Sequence, residues 1–248
     1  MGSSNLVQVT AIKEVAYGQT PVAGNFSTAR FTSESLSGSP QTVESKQIRT
    51  DRMSSGQIVT GLNVQGGLNF ELAKESMLED FLSSAMCSDW NVMSLVSVQL
   101  AMNHTTKEVT RGSGSWIVAG VVKGDVLTFA GFVATQMNTQ FMVAEVISAT
   151  VIRVVPKSGV TLVTETAAGA SYKRADKLTI GTSKISFSMQ KRFLDLTNKA
   201  IVYRGMMVSN MELNVNFGSL IEGSFNFSGN DHAVADLAAE MITDGRTI

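Results

Sequence analysis

Apolar and polar residues alternate most strictly over residues 206–228. Met211, Leu213, Val215 and Phe217 take one parity, and Asn210, Glu212, Asn214 and Asn216 take the other. After Gly218-Ser219 the alternation resumes, with Phe225 and Phe227 against Ser224, Asn226 and Ser228. A period of two on both sides of a turn predicts an antiparallel hairpin with one dry and one wet face. Residues 58–72 repeat the pattern. Ile58, Leu62, Val64, Leu68, Phe70 and Leu72 share one parity, and Val59, Asn63, Gln65, Asn69 and Glu71 share the other. Gly66-Gly67 predicts a bulge or bend there. Neither wet face carries Lys or Arg. Residues 180–193 alternate too, with Ile185, Phe187 and Met189 opposite Lys184, Ser186, Ser188 and Gln190.

The period changes once. Over residues 75–87, Met77, Leu78, Phe81, Leu82, Ala85 and Met86 recur at three- and four-residue spacing, which predicts one helix of about three turns. Ala233, Leu237, Ala238 and Met241 suggest a second, short helix at the C-terminal end, or else a tail that becomes ordered on a partner. Val7, Val9 and Ile12 suit a first strand, followed by an extended arm to about residue 30. The polar stretch 31–56 is longer than the connections of a compact domain, and reads as a loop that is mobile or ordered by something outside the chain. The Gly-Ser-Gly-Ser run at 112–115 reads as a joint. Short strand patterns at 116–118, 126–129, 141–146 and 151–155 follow it, separated by Gly120, Gly124, Gly131 and Pro156. Residues 112–172 are therefore expected as an inserted small β-barrel-like domain between the two parts, 1–111 and 173–248, of one larger sheet.

Composition narrows the function. The 248 residues carry 20 Lys and Arg against 21 Asp and Glu, a net charge of -1, so no basic surface marks a nucleic-acid binder. Cys87 is the only cysteine, which excludes an intramolecular disulfide framework and a cysteine metal cluster. His104 and His232 have no metal-ligand spacing, and the only aspartate next to a histidine is in Asp231-His232. No phosphate-loop, dinucleotide or nucleophile-elbow motif is present, so neither an enzyme nor a cofactor is expected. The opening residues lack a basic segment and an apolar core of a leader, and no run is long enough to span a membrane. Lys46, Arg49 and Arg52 lie among Glu44 and Asp51, a mixture that suits a salt-bridged contact between copies better than phosphate binding. Strands with free edges serve an oligomer that closes them into a ring. Its inner wall would carry Asn63, Gln65, Asn69, Glu71, Glu212, Asn214, Glu222 and Asn226. Hydrophilic and mildly negative, that wall would let DNA slide past.

Several segments in fixed order resemble the major tail tube proteins of long, non-contractile-tailed bacteriophages. They are EVAYGQTP (14–21), VESKQIRTDR (43–52), GLNVQGGLNFEL (61–72) with the helix after it, SFSMQKRF (186–193) and the run 203–229 ending in GSFNFSG. The resemblance covers about 1–110 and 176–230. It implies a mainly β chain: a tail-tube-type β-sandwich with one flanking α-helix. It further implies hexameric rings in which residues 59–71 and 210–228 line the lumen. The stretch 32–56, with Glu44, Lys46, Arg49, Asp51 and Arg52, would reach the next ring, and the insertion would sit outside. The implied partners are further copies, the tape measure protein, and the tail terminator and distal tail proteins. Double-stranded DNA would pass through without specific binding. The implied location is the virion tail, after synthesis in the bacterial host cytoplasm. A tail terminator, a capsid decoration protein, a contractile-tail inner tube and a carbohydrate-binding β-sandwich are the alternative readings.

Overall fold

Both stretches of strongest alternation become the longest strands of the computed structural model, which describes residues 6–45, 56–196 and 199–236. The chain divides into two units, Met1–Asp89 with Thr179–Ile248, and Trp90–Leu178. The first unit begins with β1 (Val7–Lys13), β2 (Ser27–Ala29), β3 (Ser33–Glu34), β4 (Ser37–Glu44), β5 (Gln57–Glu71) and the helix α1 (Ser76–Ala85). The second unit holds β6 (Val96–Ser97), β7 (Leu100–Asn103), β8 (Glu108–Arg111), β9 (Val126–Ala130), β10 (Gln140–Val146), β11 (Val151–Pro156), β12 (Glu165–Ala167) and β13 (Ser171–Arg174). The chain then returns to the first with β14 (Phe187–Phe193), β15 (Lys199–Asn214), β16 (Glu222–Gly229) and β17 (Asp231–Asp236).

β15 organises the first unit because it belongs to both halves of a nine-stranded sheet. Residues 199–206 pair with β14 and β17, whereas residues 207–214 pair with β16. Between them the strand bends at Gly205, whose φ of +69° suits glycine, and bulges between Val208 and Asn210. One half runs β2-β1-β14-β15, and the other runs β15-β16-β5 with β3 and β4 on the far side of β5. The halves form a sandwich over one core. Val9, Ala11, Phe187 and Met189 come from the first half, and Val64, Leu68, Phe225 and Phe227 from the second. Helix α1 closes this core with Met77 and Phe81. The Phe81 ring meets Phe187 at 5.2 Å, Phe227 at 5.0 Å and Phe225 at 5.6 Å, all edge-on, a favoured aromatic geometry. The buried Ser84 hydroxyl donates to the Ile185 carbonyl at 2.8 Å and accepts from the Val208 amide at 3.2 Å.

A buried carboxylate fixes the bend. Glu14 Oε1 accepts from the Gly205 amide at 2.9 Å and the Ser188 hydroxyl at 2.7 Å. Its Oε2 accepts from the Gly18 amide at 2.8 Å and the Ser186 hydroxyl at 2.7 Å. Ser186, Ser188 and Gln190, expected on a wet face, are all buried. The serines are there to meet Glu14, and Gln190 accepts from Thr10 at 3.5 Å. A Cβ on Gly205 would lie 3.1 Å from the Tyr17 ring, so the segment after β1 is moulded to the bend as well.

The second unit is an antiparallel sheet in the order β12-β7-β8-β11-β10-β9-β13-β6, wrapped round its own core. It begins before the expected joint. The segments at 96–111 pair here, and the 112–115 run lies inside the unit as a tight turn. Arg111 shapes that turn. Its Nε donates to the Ser113 carbonyl at 2.6 Å, and its guanidinium stands 5.0 Å above the buried Trp116 ring. Residues 116–118 are consequently a turn rather than a strand.

Three further expectations change. The polar stretch 31–56 is not a plain loop, since β3 and β4 lie in it and pair with β5. Residues 231–236 form β17 along β15 instead of a helix, because the hairpin partner β16 simply continues past Asn230; Leu237, Ala238 and Met241 lie outside the described residues. Gly66-Gly67 keeps its register with β16, and the bulge of β5 falls instead at Thr60, opposite Gln41 and Thr42. That bulge moves Val59 to the dry side.

Replacing Glu14 by Gln keeps the shape but turns an amide nitrogen toward two donors. Urea unfolding should show a loss of about 2–3 kcal/mol, the scale of hydrogen bonds to a charged group. An unchanged midpoint would mean that the carboxylate does not hold the bend.

Candidate functional site: the polar face of the second half-sheet

Pairing registers place the wet parities of β15, β16, β5 and β3–β4 on one continuous face. Successive rows across it read Asn214–Glu222–Glu71, Glu212–Ser224–Asn69–Ser33 and Asn210–Asn226–Gly67, then Ser228–Gln65–Ser37 and Asn63–Ser39. All eight residues expected on an inner wall fall here, seven of them exposed and Asn63 half-buried. The three charges in these rows, Glu71, Glu212 and Glu222, are all negative.

A fourth lane was missed. Ser33, Ser35, Ser37 and Ser39 alternate with Glu34, Leu36, Gly38 and Pro40, and that period of two was present in the sequence. Without flanking apolar residues it looked like loop composition. In the sheet Asn69 Nδ2 donates to the Ser33 hydroxyl at 2.7 Å, the Gly67 amide donates to the Ser35 hydroxyl at 2.9 Å, and Ser37 donates to the Gln65 carbonyl at 3.4 Å. A Cβ on Gly67 would lie 2.9 Å from the Asn226 side-chain oxygen, which would have to turn aside.

The underside of the face locks these strands in place. Leu36, in the break between β3 and β4, has its Cα 2.5 Å from where a Cβ of Gly66 would stand. The Tyr203 hydroxyl donates to the Leu36 carbonyl at 3.1 Å, and Glu34 accepts from the Leu36 amide at 3.0 Å while pairing with Lys191. The His232 ring stacks on Tyr203 at 6.3 Å between centroids, and a Cβ on Gly38 would run into it. Asp231 accepts from Arg204 at 2.9 Å. The Asp231-His232 pair thus serves the joint between β17, β15 and β4.

Of the residues expected to touch a neighbouring ring, Glu44 is exposed at the outer end of β4, opposite Gln57. Lys46, Arg49, Asp51 and Arg52 lie outside the described residues. His104, in the second unit, meets the Thr164 hydroxyl at 2.8 Å. Among the described residues no group of three or more His, Cys, Asp or Glu side chains is arranged to hold a metal ion, and no helix is long and apolar enough to cross a membrane.

Burial, and then the negative Glu34, push the Tyr203 phenol up to about 12 from its ordinary value of 10.0. A proton held more tightly in the folded state stabilises it fully below pH 10, and this stability is lost as pH rises toward 12. The tyrosinate absorbance of the native chain minus that of Tyr203→Phe should therefore rise near pH 12; a rise at pH 10 would contradict the buried hydrogen bond. Glu71 and Glu222 face each other directly, an arrangement that destabilises a sheet. Glu222→Gln should raise stability by about 0.2–1 kcal/mol at low salt, with a smaller gain at 1 M salt. Destabilisation would show that the two carboxylates do not repel.

No curated protein matches the chain. A model of the phage tail tube protein family matches residues 4–245. The match spans the β-sandwich, its polar face and the second unit alike, and the chain belongs to the phage tail tube protein family.

Proposed function

We propose that the polar face is the inner wall of the tail tube, along which DNA leaves the virion. One observation carries this reading: a polar face without cations lies on a half-sheet whose two edges are both open. Among the described residues the outer edge of β4 has no strand beside it. Nor does the edge of β15 beyond Val208, whose own amide is taken by the Ser84 hydroxyl of α1. Open edges favour addition of another copy's strand, and edge-to-edge closure sets the polar faces side by side.

Strand spacing is compatible with six copies closing the wall. At about 4.8 Å per strand, four strands from each of six copies make a backbone circle about 37 Å across, before tilt widens it. Three copies would give about 18 Å, too narrow for a duplex once side chains are added. Rings of six therefore fit, stacked around the tape measure protein and bounded by the tail terminator and distal tail proteins. Asparagine, serine and carboxylate side chains on this wall offer a phosphate backbone nothing to grip.

The tube is that of a long, non-contractile tail, assembled from monomers made in the bacterial host cytoplasm. The hairpin β4–β5, ending in Glu44 and the 46–52 segment, reaches the next ring. The second unit belongs on the exterior. Within the first unit, the segment after α1 runs beside the segment that leads to β14: the Gly181 amide donates to the Met86 carbonyl at 2.9 Å and the Ser183 amide to the Cys87 carbonyl at 2.8 Å. Helix α1 packs on the dry side of the sheet, away from the polar face.

Negative-stain microscopy of concentrated protein, paired with sedimentation, tests the reading. Hollow tubes of constant width are expected; isolated rings would favour a terminator role. Asn63→Lys and Asn214→Lys should change monomer stability by no more than about 0.5 kcal/mol, as surface substitutions do, and still give tubes. Virions carrying either should eject DNA more slowly, and unchanged ejection would remove both residues from the wall.

A further inference from the structure

The sheet of the second unit closes on itself. β6 and β7 are consecutive pieces of one run, 96–103, and β12 and β13 are pieces of another, 165–174. The two ends of the strand order, β12 beside β7 and β13 beside β6, are therefore neighbouring parts of one antiparallel pairing. Between them the Val98 amide donates to the Ala170 carbonyl at 3.0 Å. A sheet closed in this way has no edge strand. Its own side chains fill the interior. Trp116, Phe129, Phe141 and Tyr172 are fully buried, and every residue of this core lies between Met93 and Tyr172. The sandwich core draws on none of them.

The unit also ties its own chain ends. The Asn91 amide donates to the Lys177 carbonyl at 2.8 Å, and the Lys177 amide donates to the Asn91 carbonyl at 3.3 Å. Buried Arg174 donates to the Gly120 carbonyl at 3.0 Å and to the Asn91 side-chain oxygen. Buried Asp125 accepts from the Val122 amide at 3.0 Å and from the Lys177 ammonium at 3.0 Å. Buried charges are tolerable only with their partners in place, so this clasp holds only while the strands around it do. Opening the clasp and opening the barrel are thus one event. At roughly 90 residues the unit is also well above the size, about 40, below which a chain usually needs disulfides or metals to fold. We infer that Trp90–Leu178 is a cooperative folding unit of its own, able to unfold while the sandwich keeps its polar face and open edges, and to stay folded when the sandwich does not. This holds whether or not copies form a tube.

The test uses the full chain in a Trp90→Phe background. Trp116 is then the only tryptophan and reports the barrel alone, whereas far-ultraviolet circular dichroism reports both units. Phe141→Ala, in the barrel core, should lower the urea midpoint of the tryptophan signal by at least about 1 M and leave a second dichroism transition unmoved. Phe81→Ala, in the sandwich core, should shift that second transition and leave the tryptophan midpoint where it was. Should Phe141→Ala abolish the barrel outright, the remaining dichroism should still melt at the unmoved midpoint. Loss of every cooperative transition in that variant would overturn the inference. So would tryptophan and dichroism curves that coincide in all three proteins and shift together.

Discussion

A single buried carboxylate holds the sandwich in its working shape. Glu14 gathers four neutral donors from three separate parts of the chain, and one of them is the amide of the glycine at which β15 bends. A carboxylate without a cationic partner is costly to bury, and only full hydrogen bonding makes it tolerable. The donors must therefore converge, and their convergence fixes where β1 ends, how β14 sits and where β15 leaves one half-sheet for the other. Everything proposed for the polar face depends on that bend, because it separates the half that packs from the half that is displayed.

The sequence showed the displayed half better than the buried one. Alternation placed Asn63, Gln65, Asn69, Glu71, Glu212, Asn214, Glu222 and Asn226 on shared parities, and pairing puts them on one surface. The helix was legible too, within a residue or two at each end. What escaped were features set by partners distant in sequence. Ser186 and Ser188 look solvated until Glu14 is seen opposite them. The serine lane at 33–39 has a strand's period but none of its apolar residues, so only β5 makes it a strand. The bulge at Thr60 swaps parity without a glycine to announce it. Residues 233–236 fit a helical spacing, yet the continuing hairpin offers them a ladder, and tertiary pairing wins over local pattern.

Exposed edges and overhanging apolar side chains are hazards for a protein that must stay dispersed before assembly. The second half-sheet carries both, with open edges and with Leu72, Leu213 and Phe217 exposed. Its polar face is acidic, so copies approaching face to face repel, while the open edges and ends remain available. Unwanted association is thereby discouraged in one direction only. The opposed Glu71 and Glu222 fit this pattern, being unfavourable within a chain and useful on a shared surface.

The pair of hydrogen bonds between residues 86–87 and 181–183 has a separate consequence for evolution and engineering. The segments that leave α1 and return to β14 are already clasped to each other by the hydrogen bonds at Met86 and Cys87. To the sandwich, the intervening 90–178 segment is a loop of closed ends, and closing a longer loop adds cost only logarithmically in its length. The entropic cost that this segment imposes on the sandwich therefore depends little on its length. The chain therefore contains a built-in port at which a second folded unit can be varied while the sandwich keeps its own connections.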